Sequence, residues 1–146
     1  MRVIVNTRTV RNEPDTEFVD LDTLLKTSDI ISLHCPLNEQ SADMMNSEAF
    51  AKCKDGAFFV NTSRGGTVDE FALRDALESG KLSGAAVDVV KNEPMSEDCP
   101  LYGVKNIIIT PHTAWAPYTT RKRLLGIVTD NIDAFLSGKP KNNVAE

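Results

Sequence analysis

The apolar positions of this 146-residue chain fall into short unbroken runs, and the stretches between the runs repeat with helical spacing. Five β-rich runs, at residues 3–6, 30–34, 57–61, 85–89 and 107–110, each end in polar residues. Their continuous apolar character predicts strands buried on both faces. Between them, Leu21, Leu24 and Leu25 recur at helical spacing behind Asp20, a suitable cap, and a brief helix is expected after Ser47. Thr67-x-x-Glu70 has capping-box form, which predicts a helix that Gly80 closes, with Val68, Phe71, Ala72 and Ala76 as its inner stripe. A last helix over 118–137 carries Leu124, Leu125, Val128, Ile132, Phe135 and Leu136 on one side, and Gly138 and Pro140 follow it.

Strand, helix and strand in repetition with short connections predict an α/β fold, a doubly wound parallel sheet built by right-handed crossovers. Ligands of such sheets bind beyond the carboxyl ends of the strands. The residues to watch are therefore Thr7 and Arg8, Cys35 and Pro36, Thr62 to Arg64, Asp88 to Glu93, and Pro111 to Trp115. Composition narrows the partner. A net charge of −5 argues against nucleic acid or an anionic membrane surface and leaves a small molecule. No apolar run approaches the roughly 18 residues of a membrane span. The three cysteines, Cys35, Cys53 and Cys99, are odd in number and widely spaced. That fits reduced thiols and a cytoplasmic location. With two histidines and no Cys-x-x-Cys, no metal site is expected.

Three residues carry candidate chemistry. Arg64 follows a strand through Asn61-Thr62-Ser63 and precedes Gly65-Gly66. Its planar fork suits a carboxylate, as in a small 2-oxo or 2-hydroxy acid; the alternative is a salt-bridge residue in a turn. His112 stands after Pro111, which stops the ladder, and an imidazole there can exchange a proton near neutral pH. A structural histidine bonded to backbone is the other possibility. Glu93 also lies beyond a strand, where it is either a solvated loop acid or the partner that stabilises a protonated imidazole.

The run 59–70 (FVNTSRGGTVDE), then Asp88-Val89 with Glu93-Pro94, then Thr110-Pro111-His112-Thr113-Ala114-Trp115, resembles the D-isomer-specific 2-hydroxyacid dehydrogenase family across essentially the whole chain. The resemblance implies that Arg64 orients the substrate carboxylate and carbonyl, that His112 is the acid/base, and that Glu93 is its partner. It implies a nicotinamide cofactor, NAD or NADP, lined by Cys35, Pro36, Ser41, Thr62, Ser63, Arg64, Asp88, His112 and Ala114. Where an NAD-preferring domain places an acid at the first strand end, this chain has Thr7 followed by Arg8. NADP is therefore expected alongside or ahead of NAD. The motifs around His112 and 131–136 most resemble glycerate dehydrogenases, which are hydroxypyruvate reductases, so hydroxypyruvate or glyoxylate is the expected substrate.

The dinucleotide fingerprint Gly-x-Gly-x-x-Gly does not occur in these residues. In the family it precedes the stretch that Met1-Arg2-Val3 resembles. The expectation is a partial doubly wound, Rossmann-type sheet lacking its first βαβ unit. Residues 1–116 then form the later part of the dinucleotide-binding domain, and 117–146 a helix and tail returning to a substrate domain. The absent central strand is expected between the run at 3–6 and the run ending at Asn61, leaving edges through which the isolated chain associates. Alone, the chain is expected to bind dinucleotide weakly and turn over nothing, and the full-length enzyme to be a homodimer. Alternatives are an inactive fragment or a non-enzymatic nucleotide-sensing module of the same fold.

Overall fold

The computed structural model describes residues 1–9 and 13–144. In chain order the elements are β1 (Ile4–Val5), β2 (Glu17–Phe18), α1 (Leu21–Thr27), β3 (Ile30–Leu33), α2 (Ser47–Lys52), β4 (Ala57–Asn61), a 3-10 turn (Gly65–Thr67), α3 (Glu70–Glu78), β5 (Leu82–Val87), β6 (Ile107–Ile109) and α4 (Tyr118–Leu136). They group into two compact units, Met1–Pro111 and His112–Glu146.

In the first unit, β3, β4, β5 and β6 form a parallel sheet in that order, and β1 and β2 form a separate parallel pair. The strand ends are level, since Leu33 pairs with Asn61, Asn61 with Val87, and Val87 with Ile109. The expectation of an α/β fold with a partial parallel sheet holds. Its details change. β2 was not foreseen, because two residues are too short to give a periodic signal. β5 starts at Leu82 and stops at Val87, so Val89 lies past the ladder. The open edges are not at the strand ending in Asn61: β4 is paired on both sides, by β3 and by β5, and the unpaired edges belong to β3 and β6.

One face of the sheet holds the core. Ile31, Leu33, Phe59, Leu82 and Val87 point to that side and are buried against Leu25 of α1, Phe50 of α2 and Leu73 and Leu77 of α3. Phe50 and Phe59 meet edge to face at 5.3 Å. Each such side chain contributes about 1.5–3 kcal/mol through removal from water. The opposite face is exposed at Ile30, Phe58 and Ile108. Burial on both faces, expected from the unbroken apolar runs, therefore occurs on one face only in this structure.

The helix starts follow from their caps. Asp20 accepts from the Thr23 amide at 2.8 Å and the Thr23 hydroxyl at 2.7 Å, and these bonds hold its carboxyl below the usual range. Asn46 accepts from the Ala49 amide at 3.0 Å to open α2. α3 is capped by Asp69, which accepts from the amides of Phe71 and Ala72, and not by Thr67. Thr67 lies in the preceding 3-10 turn, two residues ahead of the cap, where its hydroxyl donates to the Arg64 carbonyl at 2.6 Å. The inner stripe moves accordingly to Ala72, Leu73, Ala76 and Leu77, while Phe71 is exposed. Gly80, at φ = 76°, lies just past the end of α3, and Gly138, at φ = 73°, just past α4.

In the second unit, α4 runs for 19 residues with no side-chain cap. Leu124, Leu125, Val128, Ile132, Phe135 and Leu136 are all exposed. No helix among the described residues is long and apolar enough to cross a membrane.

Candidate active site

Beyond β4 the chain makes a turn built around Asn61, which is 1% exposed. Its amide donates to the Arg64 carbonyl at 3.0 Å, and its side-chain oxygen accepts from the Ser63 amide at 2.9 Å and the Ser63 hydroxyl at 2.8 Å. The Thr67 hydroxyl bonds the same Arg64 carbonyl. The backbone on both sides of Arg64 is therefore pinned from within the protein, while the side chain is exposed. The Arg64 guanidinium donates to the Ser63 carbonyl at 2.7 Å, and among the described residues it forms no ion pair. A cation held on a rigid turn and left without a carboxylate is ready for an anionic ligand.

The loop after β3 closes on this turn. His34, Cys35, Pro36 and Leu37 face Thr62, Ser63 and Arg64 across a cleft of about 610 Å³. The Ser32 hydroxyl and His34 Nε2 lie 2.9 Å apart. Cys35 is half-buried with its thiol 3.6 Å from the Met44 sulfur, in a packing position. Ser41 is buried, and its hydroxyl donates to the Pro36 carbonyl at 2.6 Å, so in this structure it shapes the loop that forms one wall of the cleft. Further along, the Asp43 amide donates to the Gly66 carbonyl, and Met45 bonds the backbone of Thr67 and Asp69.

The segment after β5 joins the same assembly. Asp88 is buried, its amide donates to the Asn61 carbonyl, and its carboxylate accepts from the Thr110 hydroxyl. Gly65 packs so closely on Val90 that a Cβ there would stand 2.0 Å from the Val90 carbonyl carbon. The turn that carries Arg64 and the segment that carries Glu93 are thus in backbone contact. Glu93 is exposed, and one of its carboxylate oxygens accepts from the Val90 amide at 3.2 Å. Lys91 bonds Asp43 at 2.9 Å, which raises the lysine above its ordinary range.

β6 runs into Thr110 and Pro111, and the second unit opens with His112. The His112 backbone is left-handed, at φ = 54°. A non-glycine residue rarely adopts that conformation unless the surroundings require it, and such residues concentrate at functional positions. Thr113 follows, its carbonyl accepting from the Ala116 amide at 2.9 Å; Ala114 is exposed.

At the end of β1, Thr7 and Arg8 are exposed, and the Arg8 guanidinium donates to Gln40 at 3.3 Å. Gln40 belongs to the loop after β3, so the ends of β1 and β3 are neighbours. These residues fit a dinucleotide. Arg8 offers a cation where an acid would repel a 2′-phosphate, and the cleft wall from His34 to Leu37 with Thr62 to Arg64 supplies both apolar and donor groups.

The structure therefore brings together the Arg64 turn, the Cys35–Ser41 loop and the Asp88–Glu93 segment within the first unit. Sequence reasoning missed the supports: Asn61, Thr67, Asp43 and Glu70. Asn61 closes an apolar run and reads as an ordinary turn former, and Glu70 reads as a capping residue.

Comparison with known proteins matches residues 1–114 to the family model described as D-isomer specific 2-hydroxyacid dehydrogenase, NAD binding domain. A hydroxypyruvate reductase from Blautia hydrogenotrophica is 50% identical over 127 residues, covering 87% of this chain and 39% of that protein. A glyoxylate/hydroxypyruvate reductase B from Escherichia coli is 38% identical over 147 residues, covering 98% of this chain and 45% of that one. The solved structure of an acyclic imino acid reductase (Bsp5) in complex with NADPH and D-Arg superposes with a TM-score of 0.87 at 33% identity, covering 98% of this chain and 46% of that one. The chain thus spans less than half the length of these relatives.

Proposed function

From the premise that the chain belongs to the D-isomer specific 2-hydroxyacid dehydrogenases, through their NAD-binding domain, we propose that it is the cofactor-binding and catalytic portion of a reductase for hydroxypyruvate or glyoxylate. The observation that carries this reading is Arg64, an exposed guanidinium with no ion pair among the described residues, on a turn pinned by the buried Asn61. A nicotinamide dinucleotide, when bound, supplies the hydride. Arg64 holds the carboxylate of the 2-oxo acid through paired charge-assisted bonds and turns its carbonyl toward the cofactor side. His112 gives its proton to the carbonyl oxygen as the hydride reaches the carbon, so a 2-hydroxy acid leaves and the imidazole remains neutral. Glu93 stabilises the protonated imidazole before transfer.

Cofactor choice falls to Thr7 and Arg8. No acid stands at these positions, and Arg8 is steadied by Gln40, which supports acceptance of NADP. A Thr7→Asp change is expected to shift preference toward NAD, and an unchanged ratio would refute the assignment. For the isolated chain the reading is weak dinucleotide binding, no turnover, and association through the open edge of β3 and the exposed stripe of α4.

The test joins this chain to the N-terminal remainder of the Blautia hydroxypyruvate reductase and follows hydroxypyruvate-dependent oxidation of NADPH and NADH. Arg64→Ala is expected to lower kcat/KM for hydroxypyruvate by about 100-fold or more, and His112→Ala to lower kcat with little change in the KM for cofactor. A folded, NADPH-binding chimera that reduces neither hydroxypyruvate nor glyoxylate contradicts the proposal.

A further inference from the structure

Glu70 opens α3 yet is 8% exposed, an unusual burial for a carboxylate at a helix start. It is not the cap, which is Asp69, and its two oxygens reach across to the segment after β5. One accepts from the Lys91 amide at 2.7 Å, and the other accepts from the Cys99 thiol at 3.8 Å. Lys91 and Cys99 are the two ends of one irregular stretch, and Glu93 lies inside it. The amide next to Lys91, that of Val90, donates to Glu93 itself. Gly65 presses on Val90 from the Arg64 side.

We propose that Glu70 is a positioning residue: by closing the base of the 91–99 segment it holds Glu93 in register with the Arg64 turn. The role deepens the proposed function, because it matters to turnover only if Glu93 does. A clasp on both ends of a loop controls what the loop carries.

Amide hydrogen exchange on the 146-residue chain tests the clasp. Glu70→Ala is expected to speed exchange at Val90 and Lys91 by about tenfold or more while the β4 amides keep their protection. Glu70→Gln, which retains an acceptor for the Lys91 amide, should stay within about threefold of the native rate. Glu70→Met fills the same space without an acceptor, and it takes the place of the alanine variant if that does not fold. In the chimera, Glu70→Ala is expected to lower kcat by about tenfold with the KM for NADPH within about twofold, and Glu70→Gln to restore it. Native protection at Lys91 in the alanine or methionine variant overturns the proposal, and so does a kcat unchanged by the substitution. If the chimera with native Glu70 is inactive, the functional reading falls, and the exchange comparison alone decides whether Glu70 clasps the segment.

Discussion

The two ends of the four-stranded sheet are built from different kinds of polar interaction. At the end where the strands begin, lysines and aspartates in short turns pair with one another in the open: Lys54 with Asp29 and Lys81 with Asp55. These pairs are exposed on at least one side and tie one turn to the next. At the end where the strands finish there is one such open pair, Lys91 with Asp43, and the other polar groups go inward. The buried polar side chains of the described residues, Ser41, Asn61, Thr67, Glu70 and Asp88, all lie at or beyond the carboxyl ends of β3, β4 and β5. Each is bonded to backbone or to a side chain of a neighbouring loop. Above them stands Arg64, exposed and without an ion pair among the described residues. Burying polar groups is costly unless every one is satisfied. A fold that accepts that cost at one end and not the other has fixed its loops at that end.

Substitutions at the two ends should differ in size as well as in kind. The largest effect is expected at Gly65, where an alanine Cβ would meet the Val90 backbone at 2.0 Å. Gly65→Ala should destabilise by about 3 kcal/mol or prevent folding, read by denaturant unfolding. Asn61→Ala removes the acceptor of the Ser63 amide and one donor to the Arg64 carbonyl. It should cost about 2 kcal/mol in the same assay. Asp69→Ala strips two amide bonds from the start of α3 and should cost about 1 kcal/mol. The smallest effect is expected at the opposite end, where Lys81→Ala at neutral pH should leave the melting temperature unchanged within about 1 °C. Its pH dependence has a definite sign. The hydrogen bond from Lys81 holds the Asp55 carboxyl below its ordinary range. Any stabilisation is therefore present above about pH 4 and lost as the pH falls through the depressed value, so native and variant proteins converge in acid. A Lys81 variant as damaged at neutral pH as the Asn61 variant would break the comparison.

The sheet and the polar groups at its carboxyl edge were legible in the letters for separate physical reasons. Runs of β-rich residues give strands wherever one face can be buried, and β3, β4 and β6 appear where the runs lie. The runs do not reveal which face will be covered, because Ile30, Phe58 and Ile108 are as apolar as Ile31 and Phe59. Arg64 stood out because it follows a strand end and precedes paired glycines, although the letters fitted a salt-bridge residue in a turn as well. Glu70 and Asn61 did not stand out, since their partners, the amides of Lys91 and Ser63, are backbone groups that every sequence contains. The left-handed φ of His112 was likewise invisible, as nothing in Pro-His-Thr demands it. The cap of α3 moved to Asp69 because Thr67, the better pattern match, belongs to the 3-10 turn and α3 starts only at Glu70. Local patterns list the groups able to make a bond, and tertiary contacts decide which of them are free to make it.

The central claim is that the carboxyl edge of the sheet is the ligand end. Titration of the isotopically labelled 146-residue chain with NADPH, followed by amide chemical shifts, tests it most directly. The account expects perturbations at 34–37, 62–66 and 88–91, with the turns at 54–56 and 80–82 unmoved. Shifts concentrated at those turns, or no shifts at millimolar NADPH, would contradict it.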